Sequence, residues 1–200
     1  MAMSPDGSII VITYWFIADA EVFMKASDGF MLYQSLPSSS GAIGVIIGAL
    51  NSIILNLGGG NIKCYTKGTN DNYQVTQILA VSSTMIDIQI CSSEEYIALS
   101  YSLSDIDLYR KNGGSYSLHS TQGCPSGFPT SATFSQDCQW MALVCPNHDI
   151  KIFQNLPPFT EIQTLSGTPL IGAAISDSHL FTVRDIFSSY LAIFFKYNGS

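Results

Sequence analysis

The stretch TSATFSQDCQWMALVCPNHDIKIFQ, Thr130 to Gln154, decides how the chain reads. It opens on a short strand-like piece, Thr130 to Phe134, and turns at Ser135 and Asp137. An apolar run then ends at Val144 with no 3.6-residue period, as expected of a buried strand. Asp149 marks a second turn, after which Ile150 and Ile152 alternate with Lys151 up to the aromatic Phe153.

The same signature recurs along the chain. A turn residue, an alternating apolar stretch and a closing aromatic read DAEVF (Asp19 to Phe23), NIKCY (Asn61 to Tyr65), DIDLY (Asp105 to Tyr109) and DIKIF (Asp149 to Phe153), with a weaker copy in YLAIF (Tyr190 to Phe194). The aromatics Phe23, Tyr65, Tyr109, Phe153 and Phe194 are 42, 44, 44 and 41 residues apart. A second element keeps step ahead of them: SPDGSIIVI from Ser4, ALNSIILNL from Ala49, SSEEYIALS from Ser92, SQDCQWMALV from Ser135 and a shortened SDSHLFTV from Ser176. Further strand-like pieces lie upstream, as in TMIDIQI (Thr84 to Ile90), and downstream, as in KNGGSYSLHS (Lys111 to Ser120) and QNLPPFTEIQTL (Gln154 to Leu165). Asn112-Gly113 is a strong hairpin signal. Each period of about 43 residues therefore holds four short antiparallel strands, and the chain is expected to be all-β with about four and a half repeats.

A period of 40–45 residues with four strands per unit is the signature of a propeller blade. The stretch from Thr130 resembles a blade of a WD-repeat β-propeller: Phe134, Ser135 and Asp137 match the first turn, Asp149 the second, and Ile150, Ile152 and Phe153 the third strand. Ser4-Pro5-Asp6-Gly7 matches the first turn as well. The Trp-Asp dipeptide is absent, Phe or Tyr stands at the Trp position, and no Gly-His precedes any repeat. YRKNGGSYSL and FFKYNGS also resemble the FG-GAP propeller, without its Asp-rich calcium loop. The resemblance implies blades at about 1–37, 38–80, 81–123, 124–166 and 167–200, forming one incomplete domain of a ring of about seven. The first blade begins at the close of its inner strand and the last lacks an outer strand; a five-bladed ring with two imperfect blades is the alternative. It further implies structural roles for the repeat positions Asp19, Phe23, Asn61, Tyr65, Asp105, Tyr109, Asp149, Phe153 and Phe194. The acidic or amide residue holds a turn, and the aromatic packs between blades.

Eight basic residues against fifteen acidic ones give a net charge of −7, and the basic residues are spread singly. That pattern argues against a nucleic-acid groove or an anionic membrane surface. The apolar run Ala42 to Leu57 is shorter than a membrane helix and is split at Asn51-Ser52, so two buried strands are expected there. The run Ile9 to Ala18 has no Lys or Arg before it, unlike a signal peptide, and no targeting signal is visible, which leaves the cytoplasm as the default. Five cysteines, odd in number and without Cys-x-x-Cys spacing, read as reduced thiols packed as small hydrophobes.

Candidate chemistry is thin. Cys145 and His148 have ligand spacing but supply two of the four ligands a structural zinc needs. Asp105 and Asp107 form a carboxylate pair that the repeat explains structurally. Gly58-Gly59-Gly60 lacks the Lys-Ser/Thr of a phosphate loop, and no Gly-x-Ser-x-Gly elbow occurs. Asn198-Gly199-Ser200 is a glycosylation sequon, meaningful in a secreted chain. No catalytic, cofactor-binding or metal-binding residue is assigned. The expectation is a non-catalytic scaffold that binds other proteins, not an enzyme, with no cofactor, no nucleic acid and no membrane. The turn Glu94-Glu95 and the hairpin tip Asn70-Asp71-Asn72 are its exposed candidate contacts. The alternative is a fragment of a larger propeller enzyme or FG-GAP-like adhesion module whose site lies on other blades. Carboxylates or histidines converging from several inner strands would favour catalysis.

Overall fold

A computed structural model describes residues 1–14, 19–37, 41–57, 60–81, 85–124, 127–145, 149–155, 159–166, 170–176, 179–186 and 189–196. The first sheet runs β1 (Ala2–Met3), β2 (Ile9–Thr13), β3 (Asp19–Ala26) and β4 (Gly29–Pro37). The second holds β5 (Ala42–Ile47), β6 (Ile53–Leu57), β7 (Asn61–Lys67) and β8 (Tyr73–Ala80). The third holds β9 (Met85–Ile90), β10 (Tyr96–Tyr101), β11 (Ser104–Asn112) and β12 (Ser115–Gln122). The fourth holds β13 (Ser131–Phe134), β14 (Trp140–Val144), β15 (Asp149–Gln154) and β16 (Thr160–Ser166). A fifth sheet has three strands, β17 (Leu170–Ile175), β18 (His179–Ile186) and β19 (Ser189–Lys196). Every hydrogen-bonded pair is antiparallel and adjacent in sequence, the meander of a propeller blade. The inner strands β1, β5, β9, β13 and β17 each pack against the next. The all-β blade architecture expected from the repeat is the fold, and no helix occurs among the described residues.

Side-chain chemistry explains where the chain reverses. In the first sheet Ser4 Oγ donates to Asp6 Oδ1 at 2.6 Å and accepts from Ile9 N at 2.9 Å. Ser8 N donates to the same Asp6 oxygen at 3.0 Å. The fourth sheet repeats this: Ser135 Oγ to Asp137 Oδ1 at 2.6 Å, Trp140 N to Ser135 Oγ at 2.9 Å, and Gln139 N to Asp137 Oδ1 at 2.9 Å. In the first four sheets the last residue of the inner turn lies in the left-handed region: Gly7 (φ 69°), Asn51 (63°), Glu94 (57°) and Cys138 (59°). Glycine adopts that conformation without a Cβ clash; the other three carry a cost of about 1 kcal/mol each.

Each pair of neighbouring sheets encloses an apolar layer. Val11, Val22 and Leu36 meet Ile53, Leu55 and Tyr65 between the first and second sheets. Ile54, Ile62 and Cys64 meet Ile97 and Leu99 between the second and third, and Tyr96 and Leu108 meet Met141 and Phe153 between the third and fourth. The second strand of a blade is covered on both faces, so β6 and β10 are buried throughout and show no alternation.

The hairpin expected at Asn112-Gly113 joins β11 to β12; it turns on Gly113 (φ 57°) and Gly114 (φ 94°), with Asn112 paired to Ser115 as the last ladder residue. One expectation needs correction. The cysteines are not all reduced: Cys124 and Cys145 form a disulfide with Cα atoms 5.7 Å apart, while Cys64, Cys91 and Cys138 are free and buried. The bond ties the connection between the third and fourth sheets to the corner after β14, two points 21 residues apart that only the blade topology brings together.

Candidate functional site

The inner strands are the place to look for chemistry, because groups from several blades meet there. β5 reads AIGVII and contributes no ionisable group; β13 reads SATF and contributes two hydroxyls. β9 reads MIDIQI and alone among the described inner strands carries a carboxylate, Asp87. Between β5 and β9 lies a cleft of about 370 Å³ lined by Gly44, Ile46, Asn56, Met85, Asp87 and Gln89 among others. Asp87 and Gln89 stand two residues apart and share a strand face. Asp87 Oδ1 accepts from Ile88 N at 2.9 Å, and Gln89 Nε2 lies 3.3 Å from both Asp87 oxygens. Gly44 faces Asn56 across the β5–β6 ladder, where a Cβ on Gly44 would stand 3.5 Å from Asn56 Cβ. A carboxylate beside two carboxamides hydrogen-bonds sugar hydroxyls and accepts a proton from water. The lining contains no Lys or Arg to meet a phosphate.

A second cleft, about 390 Å³, opens at the inner turns and is lined by Pro5, Gly48, Ala49, Ser92, Phe134 and Gln136 among others. Its wall is anchored by Glu94, which the sequence places in an exposed turn and which is instead 1% exposed. The reason lies in the neighbouring blade. The second blade has Gly48 and Leu50 where the first has Ser4 and Asp6, so its inner turn has no acceptor of its own. Glu94 Oε1 reaches across and accepts from Leu50 N at 2.8 Å and Ser52 N at 3.2 Å. Lys111 Nζ lies 3.4 Å from Glu94 Oε2, and Tyr116 Oη donates to the Glu94 carbonyl at 2.8 Å. Burial and the Glu94 carboxylate both push the Tyr116 hydroxyl well above its ordinary range. Glu95 is the half-exposed partner of Arg110 at 2.8 Å. The tip residue Asp71 is exposed and 3.2 Å from Lys67 Nζ.

Asp19, Asn61 and Asp149 each open a third strand, β3, β7 and β15, and Asp105 is the second residue of β11. Tyr65 and Phe153 are buried, Phe23 and Tyr109 half-buried, and Tyr65 Oη donates to the Pro37 carbonyl of the preceding sheet at 2.9 Å. Phe194 lies in β19, its side chain outside the described residues. Asp107 accepts from Tyr101 Oη at 3.1 Å and Thr121 Oγ1 at 2.8 Å; burial first, then Asp107, raises the Tyr101 hydroxyl. Asp105 packs on Gly123, where a Cβ would stand 2.6 Å from its Oδ1. Cys145 is consumed by the disulfide, and His148, Gly58, Gly59 and the sequon at Asn198 fall outside the described residues. No group of three or more His, Cys, Asp or Glu with the arrangement of a metal site occurs among the described residues. Asp87 and Gln89 lie in TMIDIQI, and their alternation with Met85, Ile86, Ile88 and Ile90 was the signal that could have singled them out.

No family model and no curated protein matches the sequence. Solved structures do match in fold. A candidate 6-phosphogluconolactonase of Bacteroides fragilis is similar over 98% of this chain and 66% of its own, with a TM-score of 0.66 and 14% identity. A protein of Lactobacillus plantarum is similar over 95% of this chain and 64% of its own, with a TM-score of 0.71 and 13% identity. The chain thus spans just under two thirds of the length of either. These matches support the propeller and are not to WD-repeat proteins in particular. They also overturn the expectation of a non-catalytic scaffold and of a chain that is not an enzyme: the fold matched is that of a candidate enzyme, so the fold no longer argues for a protein-binding platform.

Proposed function

We propose that this chain is part of a larger propeller enzyme that opens lactones, and that the cleft between β5 and β9 takes an uncharged, polyhydroxylated lactone ring. The observation that carries the reading is Asp87 with Gln89 and Asn56 on the wall of a cleft in a fold shared with a candidate lactonase. Asp87 acts as general base: it takes a proton from water as the water oxygen bonds to the lactone carbonyl carbon. The tetrahedral adduct collapses with cleavage of the ring C–O bond, the ring oxygen takes up a proton, and the product is the open hydroxy acid. Gln89 orients the Asp87 carboxylate. A neutral substrate suits a lining without cations and a chain of charge −7 better than a phosphorylated one. The test is base consumption at constant pH with glucono-δ-lactone and its 6-phosphate. The expected result is hydrolysis above the spontaneous rate, faster for the neutral lactone, and a fall of about 100-fold in Asp87→Asn with an unchanged melting temperature. A wild-type rate equal to the spontaneous one, or an Asp87→Asn variant as fast as wild type, would sink the reading.

A further inference from the structure

The two clefts are halves of one groove. β5 and β9 are the inner strands of neighbouring blades and pack against each other, and both clefts follow them in the same order. The first is lined by Ile43 to Ile46 on one side and Met85 to Gln89 on the other. The second takes over with Ile46 to Ala49 and with Ile90 to Ser92, so Ile46 borders both. At about 3.3 Å per residue, Ile90, where the second cleft begins, stands about 10 Å along the strand from Asp87.

The halves differ in chemistry. The first carries Asp87, Gln89 and Asn56. Among the described residues no charged side chain lines the second. Its hydroxyls are already engaged: Ser135 Oγ donates to Asp137 and accepts from Trp140 N, and Ser92 Oγ donates to the Gln136 carbonyl. Glu94, which anchors its wall, is spent on Leu50 N and Ser52 N. Cys91 is buried, its sulfur 3.2 Å from Ser93 Oγ, which leaves the exposed carboxamide of Gln136 as the polar side chain facing a ligand. The rest of the lining is apolar, with Ile46, Ile90 and Phe134 half-buried and Pro5 and Ala49 exposed. A sugar hydroxyl loses hydrogen bonds on leaving water for such a surface, whereas a methylene gains by it.

We propose that the groove takes an amphiphile end to end. The polyhydroxylated ring sits against Asp87, and an unbranched alkyl or acyl chain on that ring runs between β5 and β9 into the second cleft. The substrate class is then a lipophilic sugar lactone, of which the bare lactone is the ring half. A carbon chain advances about 1.25 Å per bond, so about eight carbons cover the span from Asp87 to Ile90. The inference rests on the lactonase reading for the ring half, but its test uses sugar ethers that contain no lactone, so the two fail separately.

Isothermal titration calorimetry compares three probes below the concentration at which micelles form: methyl 6-O-octyl-β-D-glucopyranoside, methyl β-D-glucopyranoside and octan-1-ol. Each fully buried methylene strengthens binding about fourfold, so three covered carbons give about sixtyfold. The expected result is one-site binding of the octyl ether, at least thirtyfold tighter than either other probe. Ala49→Trp fills the second cleft from an exposed position, and an unchanged melting temperature verifies its fold. In that variant the octyl ether binds no better than the methyl glucoside. An octyl ether no tighter than the methyl glucoside, octanol as tight as the octyl ether, or binding undiminished in Ala49→Trp overturns the proposal. If the ether binds as expected and no lactone is opened, the lactonase reading falls and the groove for a sugar-headed amphiphile stands.

Discussion

Gly48 tests whether one blade supplies the turn chemistry of its neighbour. An alanine there puts its methyl carbon 2.1 Å from Glu94 Oε1, 2.6 Å from Cδ and 2.8 Å from Cγ. The turn itself is held by Gly48 N to the Ser52 carbonyl at 2.9 Å and Asn51 N to the Gly48 carbonyl at 3.0 Å, so the carboxylate is the part that moves. Its departure strips the acceptor from Leu50 N and Ser52 N and separates it from Lys111. Hydrogen bonds to charged groups contribute about 1.5–3 kcal/mol each; Leu50 is exposed enough for water to compensate, which leaves a net loss of about 3 kcal/mol. For a domain of this size that lowers the melting temperature by about 6–12 °C. Glu94→Ala removes the same bonds and costs about the same. The double variant has room for the methyl group, so its cost stays near 3 kcal/mol instead of doubling, a coupling of about 3 kcal/mol. Urea unfolding of the four proteins measures the cycle. Costs that add, with coupling below about 0.5 kcal/mol, would refute the reasoning.

Three further outcomes are expected. Phe153→Ala, which empties a buried site between the third and fourth blades, loses about 3–5 kcal/mol in denaturant unfolding; an unchanged midpoint contradicts its place in that layer. Reducing the Cys124–Cys145 bond, which closes a loop of sequence separation 21, costs about 3 kcal/mol in the chain-entropy account, read as a lower melting temperature in a phosphine reductant that Cys124→Ser reproduces. Hydrogen bonds from Ser4, then Ser8, lower the Asp6 carboxyl from 3.8 to about 2. A depressed folded value means that its stabilisation is present above pH 3.8 and disappears as pH falls towards 2, so Asp6→Asn flattens the acid limb of stability in that window alone.

What was legible in the sequence is whatever a blade does for itself. SPDG and SQDC carry their own Ser and Asp, and the turns at Ser4 and Ser135 follow from those residues. The apolar runs of β6 and β10 announce strands covered on both faces. What one blade does for another was not legible. Glu94 looks like a solvated turn residue until Gly48, 46 residues earlier, is seen to lack a side chain exactly where that carboxylate sits. Gln34 and Gln77 hydrogen-bond the main chain of Tyr73 and Tyr116, 39 positions away, and no local pattern marks them. The disulfide stayed hidden for the same reason, since its cysteines meet only through the topology. Asp87 and Gln89 were read as part of a strand; their shared face on the wall of a cleft depends on how β5 stands against β9.

The most direct measurement of the functional account is a crystal structure of the protein soaked with gluconate, the open product of the neutral lactone. The account predicts the hydroxy acid in the cleft between β5 and β9, with hydroxyl groups in hydrogen-bond reach of Asp87 and Gln89. Gluconate bound at another place, or an empty cleft at saturating concentration, would contradict it.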